Sequence, residues 1–155
     1  MAAAMGHALV VAATAATQMQ SLSTRDTFRA AALSPAETKE ILKQVEDSAY
    51  DLPNDWQSEL HVRRVDLGAS PGLILQGTNL LCGGTGNCQT WVFRKAENQW
   101  VLMFAKDAVP VAEGFRLGPG LSSGIKDFTV QANLSAAAVE TVTYKFDGKI
   151  YRPDK

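Results

Sequence analysis

The hydrophobic pattern of the chain changes near residue 52 from a helical period to a strand period. In residues 34–49, SPAETKEILKQVEDSA, apolar side chains recur every three or four residues, which predicts an amphipathic helix. Ser34 can accept a hydrogen bond from the backbone of Glu37, and Pro35 occupies the first helical position, so both mark a helix start. The apolar stripe is expected to pack on the rest of the fold; it consists of Ile41, Leu42 and Val45.

Beyond Leu52 the pattern has period two, and glycine, proline or asparagine interrupts it at intervals of roughly ten residues. It predicts antiparallel strands near residues 60–67, 72–77, 89–95, 99–105, 113–117, 125–132, 139–146 and 149–152. Asp147-Gly148 is expected to join the last two strands as a two-residue hairpin. The predicted fold class is α+β, with one N-terminal helix packed on a twisted antiparallel β-sheet of meander hairpins. We expect a single domain of residues 21–155, with its helix at 34–49 and a β-rich part at 58–152.

The first 20 residues resemble an export leader. Their Ala/Leu/Val-rich part spans about 11 residues, the length of a signal-peptide apolar region and too short to cross a bilayer. Small residues at Ala13, Ala15 and Ala16 offer cleavage sites of the A-x-A type. No basic residue precedes the apolar run, and Arg25 is the first charged side chain, so an Ala-rich extension is the alternative. Export predicts a periplasmic or secreted protein, without stable membrane insertion once the leader is removed.

Composition and charge narrow the classes of function. A chain of 155 residues with 46% hydrophobic and 20% charged side chains suits one globular domain. The 15 Lys and Arg residues nearly balance the 16 Asp and Glu residues, which gives a net charge of -1. Because no block of like charge would attract a phosphate backbone, nucleic acid is not expected as a partner.

The two cysteines of the chain, Cys82 and Cys88, lie in the segment LCGGTGNCQTWVFRK. Their C-x5-C spacing, followed by a predicted strand, does not match the C-x-x-C motif at the start of a redox helix. A zinc site needs four ligands, and the two cysteines and His61 supply only three. The glycines also lack the lysine and helix of a phosphate-binding loop. In an oxidising compartment GGTG lets the chain fold back, so we predict a structural disulfide worth about 2 kcal/mol.

Catalytic chemistry finds little support in the sequence. His61 is the only histidine outside the leader, and it lies in a predicted strand beside two arginines. No G-x-S-x-G motif is present, and GLSSG at 120–124 has loop character. The acidic candidates fall where solvent-facing strand or turn positions are expected; they are Asp127, Glu140 and Asp147. We therefore predict a protein that is not an enzyme and needs no metal or cofactor.

The loop between the cysteines is a better candidate for partner binding than for catalysis. Gly83 to Asn87 are too polar for a core, and a loop tied at both ends loses less entropy on association. Thr85 and Asn87 are the candidate contacts, together with Trp56, whose position the strand period does not explain. Trp91 and Trp100 alternate with polar residues and are expected in the core. The alternative for Asn87 is that it only closes the turn through its own backbone.

The segment C-G-x-T-G-N-C, followed by the aromatic strand WVFRK and later by YKFDGKIYR, resembles a group of small uncharacterised exported bacterial proteins. This resemblance covers residues 60–152 and implies export without implying an activity. A weaker analogy is with periplasmic lysozyme inhibitors, whose Ser/Gly inhibitory loop is similar to GLSSG. We therefore expect an exported binding or envelope-associated protein, whose partner is an envelope protein or a glycan. The alternative is an inhibitor of a cell-wall hydrolase such as lysozyme.

Overall fold

The computed structural model describes residues 18–155. The predicted leader, residues 1–20, lies outside the described residues except for its last three. Of these, Gln20 exchanges two backbone hydrogen bonds with Phe115, at 2.6 and 2.9 Å. The contacts of the folded chain therefore begin before residue 21. No helix among residues 18–155 has the length and apolar character needed to span a bilayer.

The described chain contains one α-helix and two antiparallel sheets, which agrees with the α+β class. The helix α1 is Pro35–Ser48, and short 3₁₀ helices lie at Trp56–Glu59 and Asn79–Leu81. The strands are β1 Leu60–Asp66, β2 Pro71–Gly77, β3 Cys88–Ala96, β4 Gln99–Leu102, β5 Val111–Ala112, β6 Gly114–Ser122, β7 Ile125–Ser135, β8 Ala138–Phe146 and β9 Tyr151–Pro153.

The helix begins as the sequence predicts. The Ser34 hydroxyl accepts from the Glu37 N–H at 3.1 Å, and the Glu37 carboxylate accepts from the Ser34 N–H at 2.9 Å. The other Glu37 oxygen accepts from Lys95 Nζ at 2.7 Å and from Trp100 Nε1 at 3.0 Å. One carboxylate thus caps the helix and also attaches it to strands β3 and β4. Ile41 and Val45 of the apolar stripe are fully buried.

Stability should depend on the ionisation of Glu37. The bond from Lys95, followed by those from Ser34 and Trp100, lowers the pKa of Glu37 from 4.5 to about 2. A depressed folded-state pKa means that this stabilisation is complete above pH 4.5 and is lost as the pH falls toward 2. The difference in unfolding free energy between wild type and Glu37→Gln, measured in urea, should therefore shrink between pH 5 and pH 2. Glu46→Gln on the exposed part of α1 is the control, and a Glu37 difference that stays constant with pH would contradict the assignment.

The prediction of one continuous sheet is wrong. Strands β1-β2-β3-β4 form one sheet, in which β5 also pairs with β3, and β6-β7-β8-β9 form a second. The outer edge of β4 is occupied: the Gln44 carboxamide donates to the Trp100 carbonyl at 2.8 Å and accepts from the Leu102 N–H at 3.0 Å. A later strand cannot pair at these two backbone groups, and the second meander starts at Gly114.

The two sheets and the helix share one hydrophobic cluster. Trp91 and Trp100 are buried in it, as predicted. Backbone hydrogen bonds also link the sheets: the Tyr151 N–H donates to the Met103 carbonyl at 2.7 Å, and the Lys126 N–H donates to the Leu67 carbonyl at 2.8 Å. A movement of one sheet against the other would break these bonds.

The predicted two-residue hairpin at Asp147-Gly148 is also wrong, because residues 147–150 form a wider turn. The Asp147 carboxylate accepts the N–H groups of Lys149 at 2.8 Å and Ile150 at 2.9 Å, and the Asp147 N–H donates to the Ile150 carbonyl at 3.0 Å. The bond from Ile150, followed by those from Arg152 and Lys149, lowers the pKa of Asp147 to about 2. An aspartate that organises three further residues makes a longer loop than the dipeptide pattern indicates.

Candidate partner-binding site

The predicted disulfide is present and closes residues 83–87 into a loop. Cys82 and Cys88 are bonded, with their Cα atoms 4.0 Å apart. Inside the loop the Gly83 N–H donates to the Asn87 carbonyl at 2.8 Å, and the Gly86 N–H donates to the Gly83 carbonyl at 3.0 Å. Gly86 has φ of 81°, a conformation in which a side chain would be strained. The loop therefore has a defined shape before any partner arrives.

The side chain of Asn87 fastens this loop to the second sheet. Its Oδ1 accepts from the Asn133 N–H at 2.8 Å, and its Nδ2 donates to the Asn133 carbonyl at 2.7 Å. Nδ2 also donates to Thr85 Oγ1 at 3.1 Å. The carboxamide thus acts like a peptide group at a part of β7 that β6 no longer covers. Asn87 has a structural role, by its backbone and its side chain, and its carboxamide is already engaged within the protein.

Thr85 is exposed at the tip of the loop, where the sequence predicted a partner contact. Its carbonyl accepts from Asn133 Nδ2 at 3.0 Å, which adds a further bond between the loop and β7. Residues 83–87 and residues 133–139 of the β7–β8 hairpin consequently form one continuous surface. We call it the loop–hairpin surface.

The hairpin half of this surface is apolar and exposed. Leu134 and Val139 are 62% and 58% exposed, and the three alanines between them at 136–138 are exposed as well. This half was not predicted from the sequence. The signal was the run LSAAAV, which has an apolar composition although it lies at a hairpin tip, where polar residues are the norm.

The charged residues that the sequence places in or next to the loop–hairpin surface are acidic. Between residues 128 and 144 the one charged residue is Glu140, and residues 82–93 contain none. Glu113 lines a cavity of about 330 Å³ together with Gly84, Thr85, Asn133, Ser135 and Ala136. The surface therefore offers an apolar hairpin, a polar loop and two carboxylates to a partner.

The prediction that Trp56 is an exposed anchor is wrong, because its side chain is only 9% exposed and belongs to the hydrophobic core. The segment is a 3₁₀ helix rather than an open loop, and it follows Asp55 in a left-handed conformation with φ of 57°. Trp56 borders a separate groove of about 580 Å³ beside α1, which it shares with Leu33 and Leu42. The structure does not bring Trp56 together with Thr85 and Asn87.

The candidate catalytic residues of the sequence lie in strands and turns of the fold. His61 is half-buried in β1 opposite Gln76, and no hydrogen bond or ion pair joins it to a carboxylate within residues 18–155. In GLSSG, the Ser122 hydroxyl donates to the Asp127 carboxylate at 2.6 Å. Ser123 and Gly124, with φ of 48° and 78°, form the β6–β7 turn. No group of three or more potential metal ligands is found in the described part of the chain.

Comparisons of the chain with protein-family models, with curated proteins and with solved structures gave no match. The resemblance carried by the cysteine segment therefore stays a prediction.

Proposed function

We propose that this protein is exported and binds a protein of the cell envelope through the loop–hairpin surface. The observation that carries the proposal is the rigid attachment of the disulfide loop to Asn133, directly beside the exposed Leu134. A surface that is already fixed loses little conformational entropy on binding. Two large apolar side chains held open to solvent, bordered by polar loop atoms, have the composition of a protein-binding patch.

Export is supported by two features of different origin. The sequence of the first 20 residues has the apolar run and small residues of a leader. The Cys82–Cys88 bond belongs to an oxidising compartment such as the periplasm. The apolar character of the hairpin favours a protein over a glycan, since a sugar would need more hydrogen-bonding groups than Leu134 and Val139 offer.

Site-specific cross-linking in the native host tests the proposal. A photoreactive amino acid at Thr85 and, in a second variant, at Leu134 should link the protein to the same envelope partner. The same group at Lys106, an exposed turn position outside the surface, should not give this product. Leu134→Arg should then remove the cross-link from Thr85 while the melting temperature stays within about 1 °C of wild type, because an exposed substitution costs little stability.

Two results would contradict the proposal: a partner captured equally well from Lys106, or a protein recovered from the cytoplasm with its first residues intact. Asn87 is not suited to this test because its substitution would release the loop from β7. A loss of binding in an Asn87 variant would mix a structural effect with the loss of a contact.

Inhibition of a cell-wall hydrolase is the second candidate, and the acidic character of the surface favours it. Enzymes that act on an anionic polymer benefit from cationic clefts. A rigid loop flanked by Glu113 and Glu140 is complementary to such a cleft. If the cross-linked partner is a wall hydrolase, its rate of peptidoglycan clearance should fall in a stoichiometric mixture with wild type and recover with Leu134→Arg.

A further inference from the structure

We infer that the partner binds as an extended strand along the free edge of β8, at residues 138–142, so that it adds a strand to the second sheet. This inference rests on the proposed function, because Val139 belongs both to this edge and to the loop–hairpin surface. It specifies the partner as a protein segment with a cationic side chain. Recognition would then combine backbone hydrogen bonds with side-chain contacts.

The backbone of β8 is available on this side. In a strand, the N–H and C=O groups of alternate residues point to the same edge. The Thr143 carbonyl points away from β7, since it accepts from the Asp154 N–H at 2.8 Å. The backbone N–H and C=O groups of Val139 and Thr141 therefore also point away from β7. Strand β9 pairs with residues 144–146 only, and within residues 18–155 no backbone hydrogen bond outside the strand ladders involves Val139 or Thr141.

Other sheet edges, at β1, β4 and β6, are each contacted or interrupted at some point. The segment before α1 covers β1, where the Val62 N–H donates to the Asp26 carbonyl at 2.9 Å. The Gln44 carboxamide covers β4, and Gln20 pairs with β6 at Phe115. Farther along β6, the register shifts between Leu117 and Leu121 around Pro119, which cannot donate to a ladder. An uncovered edge such as that of β8 is a template for another strand.

The negative charge of Glu140 favours a basic partner strand at this edge. Glu140 lies in the centre of the free segment, and no cation occurs between residues 128 and 144. In any two-fold pairing of two copies centred within residues 139–141, the two Glu140 side chains would be direct or diagonal neighbours, where like charges are unfavourable. A foreign segment with lysine or arginine opposite Glu140 would instead gain an ion pair. The geometry therefore favours a basic strand of a partner over a second copy of this chain.

A model peptide tests strand addition without knowledge of the partner. The probe is a blocked octapeptide of alternating valine and lysine, compared with one of alternating valine and glutamate. With the lysine peptide at saturation, hydrogen exchange measured by NMR should slow about tenfold at the amides of Val139 and Thr141, because each gains a hydrogen bond. Glu140→Lys should reverse the preference between the two peptides.

Two variants at one position separate the backbone from the side chain. Thr141→Pro removes the edge N–H and should abolish protection, whereas Thr141→Val keeps the N–H and should retain it. If the proline variant unfolds, the reversal expected for Glu140→Lys still tests strand addition. Protection that is absent, that appears elsewhere, or that arises without peptide as the protein concentration rises would overturn strand addition. If cross-links from Thr85 and Leu134 persist in that case, the proposed function stands and only the strand mode is rejected.

Discussion

Replacing Gly68 by alanine is expected to lower the free energy of unfolding by about 3 kcal/mol, the upper range for a strained backbone position. Gly68 has φ of 97°, which L side chains rarely adopt. A Cβ atom built there would lie 2.6 Å from the carbonyl oxygen of Gly124, and that oxygen belongs to the backbone and cannot rotate away. It also accepts the Ala69 N–H at 2.9 Å, one of the bonds between the two sheets. The substitution therefore strains the backbone at residue 68 and weakens a hydrogen bond between the two sheets.

Gly84→Ala is the matched control, because a Cβ atom at that position meets nothing within 4 Å. It should change the unfolding free energy by no more than about 0.5 kcal/mol. Urea titrations of both variants, compared at one pH, give the measurement. Equal stability of the two variants would show that the Gly68 contact with Gly124 does not hold the sheets together.

Replacing Gln89 by glutamate should also cost about 3 kcal/mol at neutral pH. Gln89 is 6% exposed. Its Oε1 accepts from the Tyr50 N–H at 2.9 Å and its Nε2 donates to the Tyr50 carbonyl at 3.0 Å. An ionised carboxylate would lose the donor and place a buried negative charge against the Tyr50 carbonyl. This contact ties β3 to the segment that follows α1, so the loss should loosen the helix as well.

The loss of stability caused by Gln89→Glu should increase as the pH rises. A protonated carboxyl can donate to the Tyr50 carbonyl, so the folded state favours the neutral form and raises the pKa of the new group. The destabilisation should then be smaller at pH 4 than at pH 8. Gln57→Glu, at an exposed position, is the control and should be nearly neutral. Thermal unfolding followed across this pH range checks both variants, and equal losses at pH 4 and pH 8 would contradict the argument.

The parts of the fold that follow from local pattern were predictable. The capping residues at Ser34 and Glu37 act over three positions, and the strand period acts over two, so both can be read from neighbouring residues. The division into two sheets could not be predicted, because it is a matter of tertiary contacts, such as that of Gln44 with the edge of β4 almost sixty residues later. Within residues 18–155, side-chain amides bond to backbone groups distant in sequence at five positions; these are Gln44, Gln76, Asn87, Gln89 and Asn133. No local pattern marks a glutamine for this role.

Of the candidate site, too, only the part that depends on local sequence could be predicted. Two cysteines separated by glycines indicated a closed loop, and the structure contains that loop with Thr85 exposed. The hairpin that completes the surface comes from residues 133–139, which reach the loop only through tertiary pairing. Trp56 illustrates the opposite error, since a tryptophan outside the strand period was interpreted as exposed although a 3₁₀ helix places it in the core.

The contact between Gln44 and β4 also bears on how the chain avoids aggregation. Helix α1 precedes β4 in the sequence, so it is synthesised first and is available when Trp100 and Leu102 emerge. A chain in which α1 detaches would leave these two backbone groups open next to buried apolar residues, an arrangement that recruits strands from other molecules. Docking of the helix therefore acts as a safeguard during folding, and shortened forms that lack it should be prone to form intermolecular sheets.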